Sequence, residues 1–138
     1  MKEIAGRLSQ TNLDDFGVRY AQAWSSQRPE AVAAMFAEDG WIAINDDAPA
    51  YGRGEVEEVA SGFMTDFPDL DVHCDCMALE EGELRWYWTM QGTNSGPRGT
   101  GRSLFISGYE SLVLGGDGLI VSAHGHFDQE DWDRQLGG

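Results

Sequence analysis

The chain has 138 residues, room for one domain, and 41% of them are hydrophobic and 11% aromatic, enough for a packed core. Nine Lys and Arg stand against 24 Asp and Glu, a formal net charge of -15. Phosphate binding needs clustered basic side chains, so nucleic acid and anionic membranes are excluded as partners, and no run approaches the ~20 apolar residues of a membrane span.

The start, Met1-Lys2-Glu3-Ile4-Ala5-Gly6, lacks the basic cap and apolar stretch of a secretory leader, so a cytoplasmic location is expected. Thr11 followed by Asp14 resembles a capping box. Leu13, Phe16, Tyr20, Ala23 and Trp24 then form one helical stripe. Pro29 suits a first helical position, with Val32, Met35 and Phe36 at helical offsets and Gly40 as the expected end. Trp41 to Ile44 reads as a short strand running into the polar turn Asn45-Asp46-Asp47. A third helix carries Val56, Val59, Ala60, Phe63 and Phe67, and Pro68 stops it.

The second half reads as strands. Val72, Cys74, Cys76 and Ala78 alternate with Asp71, His73, Asp75 and Met77, which puts the two cysteines on one face as reduced thiols, since such near neighbours rarely have disulfide geometry. Glu81-Gly82 is a turn, and Leu84, Trp86, Trp88 and Met90 share the next inner face. The Gly-rich loop from Gly92 to Gly101 has no phosphate-gripping Gly-Lys-Ser/Thr and is expected to form a mobile flap carrying Arg98. Strands follow at about Ser103 to Leu114 and Leu119 to Asp128, around the turn Gly115-Gly116-Asp117-Gly118. Helices first and a four-strand meander afterwards predict one α+β domain over 1–138, a cone with N-terminal helices packed in the hollow of a curved, mainly antiparallel sheet.

Several segments occur in a telling order: Phe36-Ala37-Glu38-Asp39-Gly40, Pro49-Ala50-Tyr51-Gly52-Arg53-Gly54, Phe67-Pro68-Asp69-Leu70, Trp88-Thr89-Met90-Gln91-Gly92-Thr93, Gly101-Arg102, Asp117-Gly118-Leu119-Ile120 and Arg134-Gln135-Leu136-Gly137. Over about 11–137 this string resembles the SnoaL-like polyketide cyclases, within the group like nuclear transport factor 2 and ketosteroid isomerase. The resemblance implies the same cone, a homodimer built through the sheet, no metal, and cofactor-free chemistry. The fold also hosts isomerases, epoxide hydrolases and non-catalytic binders. Counting back from Arg134-Gln135-Leu136-Gly137 puts Gly125 where the cyclases carry their proton-transferring acid, and Trp24 where they carry a pocket tyrosine. The limonene epoxide hydrolases, which share Ala50-Tyr51-Gly52-Arg53, use a polar cluster at the positions of Ile42, Ile44, Trp88, Met90 and Gly125.

The candidate acid-base residues are therefore nonstandard. In His124-Gly125-His126-Phe127-Asp128, alternation puts His124, His126 and Asp128 on one strand face, and a His paired with a carboxylate suits general-base work. The same parity turns them away from the hollow if Gly125 faces inward, unless a bulge at the glycine swaps the faces. A metal reading of the same spacing would need His73, Cys74 or Cys76 as distant ligands, and no metal site is expected. Tyr20 is the phenol nearest the expected pocket and a polarising donor. Trp24, Trp86, Trp88, Met90, Ile44 and Phe127 are the expected ligand-binding wall, though periodicity fits a filled core equally. Two functions stay open: cofactor-free cyclisation, isomerisation or hydration of a small apolar, cyclic or carbonyl-bearing ligand, or a non-catalytic binder or dimeric accessory module.

Overall fold

The computed structural model describes residues 10–137, so the start read above for a leader lies outside the described residues. Helix α1 (Gln10–Ser25) buries the expected stripe of Leu13, Phe16, Tyr20, Ala23 and Trp24. Thr11 lies inside this helix rather than capping it, and Gln10 Nε2 instead donates to Asp14 Oδ1 (2.8 Å) and to the Met77 carbonyl (2.9 Å).

The second helix, α2 (Pro29–Ala33), is far shorter than the sequence suggests, and Phe36 already opens strand β1 (Phe36–Ile44). Val32, Met35 and Phe36 have helical offsets, but sheet pairing wins: the Ile120 N–H donates to the Met35 carbonyl (2.9 Å), and Phe36 aligns with Ile120. Gly40 does not end a helix; a Cβ there would sit 2.6 Å from the Ile120 carbonyl oxygen, so the irregular stretch of β1 requires glycine. Strand β2 (Ala50–Tyr51) leads into α3 (Gly52–Asp66), which Arg53 ties to β1 by donating from Nε to the Phe36 carbonyl (2.8 Å).

The meander forms as expected: β3 (Asp71–Glu80), β4 (Glu83–Thr93), β5 (Ser103–Leu114) and β6 (Ile120–His126), followed by a short helix α4 (Gln129–Gln135). The six strands lie in the order β2-β1-β6-β5-β4-β3, antiparallel throughout except for the parallel β1–β6 pair. Glu81 and Gly82 both take positive φ, as a two-residue hairpin turn demands. The curved, unclosed sheet wraps its inner face around α1 and α3.

Two expectations about the meander are corrected. A register shift between Cys74 and Cys76 turns Met77 into the core and Cys76 out to solvent, so the cysteines do not share a face. Burial pushes the Cys74 thiol up to about 11, which keeps it an unreactive thiol. The Gly-rich loop is anchored rather than free-standing. Asn94 N–H donates to the Arg102 carbonyl (2.8 Å), Gly101 N–H to the Asn94 carbonyl (2.8 Å) and Gly96 N–H to the Asp66 carbonyl (3.3 Å), and Arg98 is exposed on the loop.

Candidate active site

Strand β5 alternates strictly. Leu104, Ile106, Leu112 and Leu114 point inward and are buried, and the same parity carries Glu110 inward with them. Glu110 is 4% exposed and is the one buried charged residue among those described. A carboxyl group in such a place must be hydrogen-bonded, neutral, or both. From α1, Tyr20 Oη donates to Glu110 Oε1 at 2.9 Å; Oε2 has no hydrogen bond among the described residues. Burial pushes Glu110 up to about 7, against the opposing pull of the Tyr20 hydrogen bond. Burial and then the Glu110 charge raise Tyr20 well above its ordinary value, so the phenol stays protonated and acts as a donor.

Glu110 lines a cavity of about 40 Å³ between the inner face of the sheet and the helices. Trp86, Trp88 and Met90 of β4, Ile44 of β1 and Gly125 of β6 form the sheet side; Trp24, Phe63 and Trp132 close it from α1, α3 and α4, with Phe127 beyond β6. Two glycines shape it. A Cβ at Gly108 would lie 2.8 Å from Trp88 Cζ2, so its absence lets that indole lie across β5. Gly125 pairs with Glu110 across the strands, and a Cβ there would meet Glu110 Cγ and Ile44 Cδ1 at 3.5 Å each, which keeps the space above the carboxyl open. The Trp86 indole donates to the Gly17 carbonyl (3.0 Å), whereas the buried Nε1 atoms of Trp24 and Trp88 have no hydrogen-bond partner among the described residues. The Trp24 indole favours the Tyr20 phenolate slightly but falls short of hydrogen-bond geometry.

The structure thus brings Trp24, Trp86, Trp88, Met90, Ile44 and Phe127 together around one cavity and sets Tyr20 on its carboxyl. His124, His126 and Asp128 are placed elsewhere. With Gly125 inward, both imidazoles lie on the outer face, their rings 4.3 Å apart, and His126 stacks on Tyr109 at 4.8 Å. His124 Nε2 bonds the Asn45 carbonyl (2.9 Å), and Asn45 Oδ1 accepts from the Phe127 N–H (2.9 Å), which ties the turn after β1 to the end of β6. Partial burial, and then His124 beside it, hold His126 below its ordinary value. Asp128 caps α4 by accepting from the Asp131 N–H (3.1 Å). Among the described residues no group of three or more His, Cys, Asp or Glu could hold a metal ion.

Glu110 is the residue the sequence reading missed. Its signal was present: a lone acid on the apolar parity of Leu104, Ile106, Leu112 and Leu114.

Against solved structures, the chain superposes on a protein of ketosteroid isomerase-like fold from Catenulispora acidiphila, described in complex with trimethylamine, with TM-score 0.74 at 18% identity over 86% of this chain and 89% of that one. A Jannaschia protein described as SnoaL-like polyketide cyclase gives TM-score 0.75 at 11% identity, over 95% and 98% of the two chains. A phenazine biosynthesis-related protein from Pseudomonas aeruginosa gives 0.68 at 15% identity, over 88% and 87%. At these identities the likeness establishes the fold. No curated protein matches the chain. The family model for SnoaL-like polyketide cyclase matches residues 16–136, nearly the whole described domain, and the chain belongs to that family.

Proposed function

We propose that the cavity binds a small, largely apolar, ring- or carbonyl-bearing molecule and that Glu110, held by Tyr20, moves a proton on it without a cofactor. The observation that carries this reading is a buried carboxyl group at the wall of an otherwise apolar cavity, with one oxygen fixed by a phenol. A general acid-base group works best when its pKa lies near the working pH, and burial pushes Glu110 up to about 7. As a carboxylate it takes a proton from carbon next to a carbonyl; as the acid it returns that proton to another atom of the same molecule, ending as it began. Cyclisation and isomerisation use such a step; in hydration the carboxylate takes the proton from the attacking water instead and returns it to the carbon skeleton of the product. Glu110 stands across from Gly125, where the family resemblance places the cyclase acid, so a neighbouring strand supplies the carboxyl. The trimethylamine complex of the Catenulispora protein supports small-molecule binding by this fold.

A second reading, a binder without chemistry, is favoured by one observation: among the described residues, Glu110 is the one titratable side chain in the cavity lining. Deuterium exchange into cyclohexanone in D2O, followed by NMR, separates the two without knowledge of the natural substrate. The enzyme reading expects exchange that Glu110→Gln lowers by about 100-fold or more, with Tyr20→Phe intermediate and His124→Ala/His126→Ala unchanged. Exchange no faster than in buffer, or unaltered by Glu110→Gln, contradicts it.

The outer face supports association of two copies. Phe105, Val113 and Val121 are exposed on β5 and β6 beside the Tyr87–Tyr109–His126 stack, so the face mixes apolar and aromatic surface. Sedimentation at micromolar concentration is expected to show a dimer that Val113→Glu dissociates; a monomer in the unmodified protein contradicts this.

A further inference from the structure

We propose that the ligand carries a tertiary or quaternary ammonium group, seated among the cavity's aromatic rings with Glu110 as its counter-ion. The inference rests on the reading that the cavity is the ligand site and adds the chemical class of what enters it.

Five rings from five parts of the fold form a continuous wall. Trp24 meets Phe63 at 5.8 Å between centroids, Phe63 meets Trp132 at 6.0 Å, Trp132 meets Phe127 at 5.1 Å, and Phe127 meets Trp88 at 6.0 Å. All five line the cavity that Glu110 also lines. Aromatic faces carry negative potential, tryptophan most strongly, and attract a cation that has shed its water. A methylated ammonium sheds water readily because it has few or no N–H donors, and its methyl groups pack on rings as hydrocarbon does.

Among the described residues the one charged group in the wall has the matching sign, and no described Lys, Arg or His lines the cavity to compete. Glu110 Oε1 is fixed by Tyr20, and Oε2, without a hydrogen bond among the described residues, is left for the ligand. An ammonium does not need a hydrogen bond to this oxygen; charge proximity in a dry site is enough. The chain's net charge of -15 favours approach of a cation and opposes that of an anion. A neutral ketone would use the wall equally well but would leave the carboxylate's burial uncompensated whenever Glu110 is ionised.

Charge on the ligand fixes the sign of a pH effect. The groups facing Glu110 are Tyr20 from α1, Trp86 and Trp88 from β4, Gly125 from β6 and Ile44 from β1, and Tyr20 stays protonated. Ionisation of Glu110 therefore governs cation binding: affinity rises with pH through about 7 and levels off above it.

The test compares choline with its uncharged carbon isostere, 3,3-dimethylbutan-1-ol, at constant ionic strength, reading the tryptophan indole resonances by NMR. Neither probe titrates, so any pH dependence belongs to the protein. At about pH 8.5 choline is expected to bind at least tenfold more tightly than the isostere, and to weaken about tenfold per pH unit below about 7, while the isostere stays flat or strengthens. Glu110→Gln is expected to abolish both the preference and its pH dependence. If that variant does not fold, Trp132→Leu serves, weakening choline several-fold more than the isostere. Equal binding of the two probes, or choline binding untouched by pH and by these substitutions, overturns the cation assignment while leaving the cavity a ligand site. Binding of neither probe overturns the assignment and the reading of the cavity together.

Discussion

On the inner face of β5 and β6, Glu110 stands alone among hydrocarbon and rings, fixed by a single phenol; on the outer face of the same strands, His124, His126, Tyr109 and Ser111 crowd together beside Arg85 and Glu83 of β4. The outer group looks richer in chemistry, but its members are partly solvated and bonded to one another. Glu83, for instance, accepts from Ser111 (3.0 Å) and pairs with Arg85 (3.1 Å). The inner face has one ionisable group, and burial alone moves it into the range where it can exchange protons near neutrality. Isolation, not abundance, prepares a side chain for acid-base work.

Substitutions on the two faces should therefore differ sharply. Trp86 is 1% exposed and bonded to α1, so Trp86→Ala is expected to cost about 3–5 kcal/mol in denaturant unfolding, against about 1 kcal/mol or less for His126→Ala. Comparable losses at the two sites would break the contrast.

Glu110→Gln sharpens it through pH. The folded chain binds the Glu110 proton more tightly than the unfolded chain, so this group's contribution to stability is fully present below about 4.5 and is lost as pH rises through about 7. The variant should match the unmodified protein near pH 4.5 and exceed it by roughly 3 kcal/mol above pH 8, since Gln carries no charge to bury. A gap that shrinks with rising pH would contradict the assignment.

The sequence displayed much of this architecture. The stripe of α1 and the aromatic face of β4 were legible because burial imposes the periods of helix and strand, and those periods also brought Trp24, Trp86, Trp88 and Met90 together at the cavity. What stayed hidden was set by contacts across the fold. Val32, Met35 and Phe36 satisfy helical spacing, and only the pairing of Phe36 with Ile120 makes a strand there. Nothing in the alternation of β3 marks the bulge that turns Met77 inward. Glu110 was readable from its parity, but the ionisable motif His124-Gly125-His126 drew attention to the face where Gly125 does not look.

Smaller effects complete the comparison. Tyr20→Phe should destabilise by about 1–2 kcal/mol and raise Glu110 further, because the phenol favours the carboxylate. Asp128→Ala should cost about 1 kcal/mol, the value of a helix cap, and leave proton exchange in the cavity unchanged. Loss of exchange in Asp128→Ala with the fold intact would return the outer cluster to the chemistry.

The most direct measurement is a carbon-13 NMR titration of the Glu110 side-chain carboxyl in the full chain, assigned by comparison with Glu110→Gln. Protonation at about 7, moving upward in Tyr20→Phe, is the predicted result. A titration near the ordinary glutamate value of about 4.3, unmoved by Tyr20→Phe, would show a carboxyl in contact with water and contradict the account.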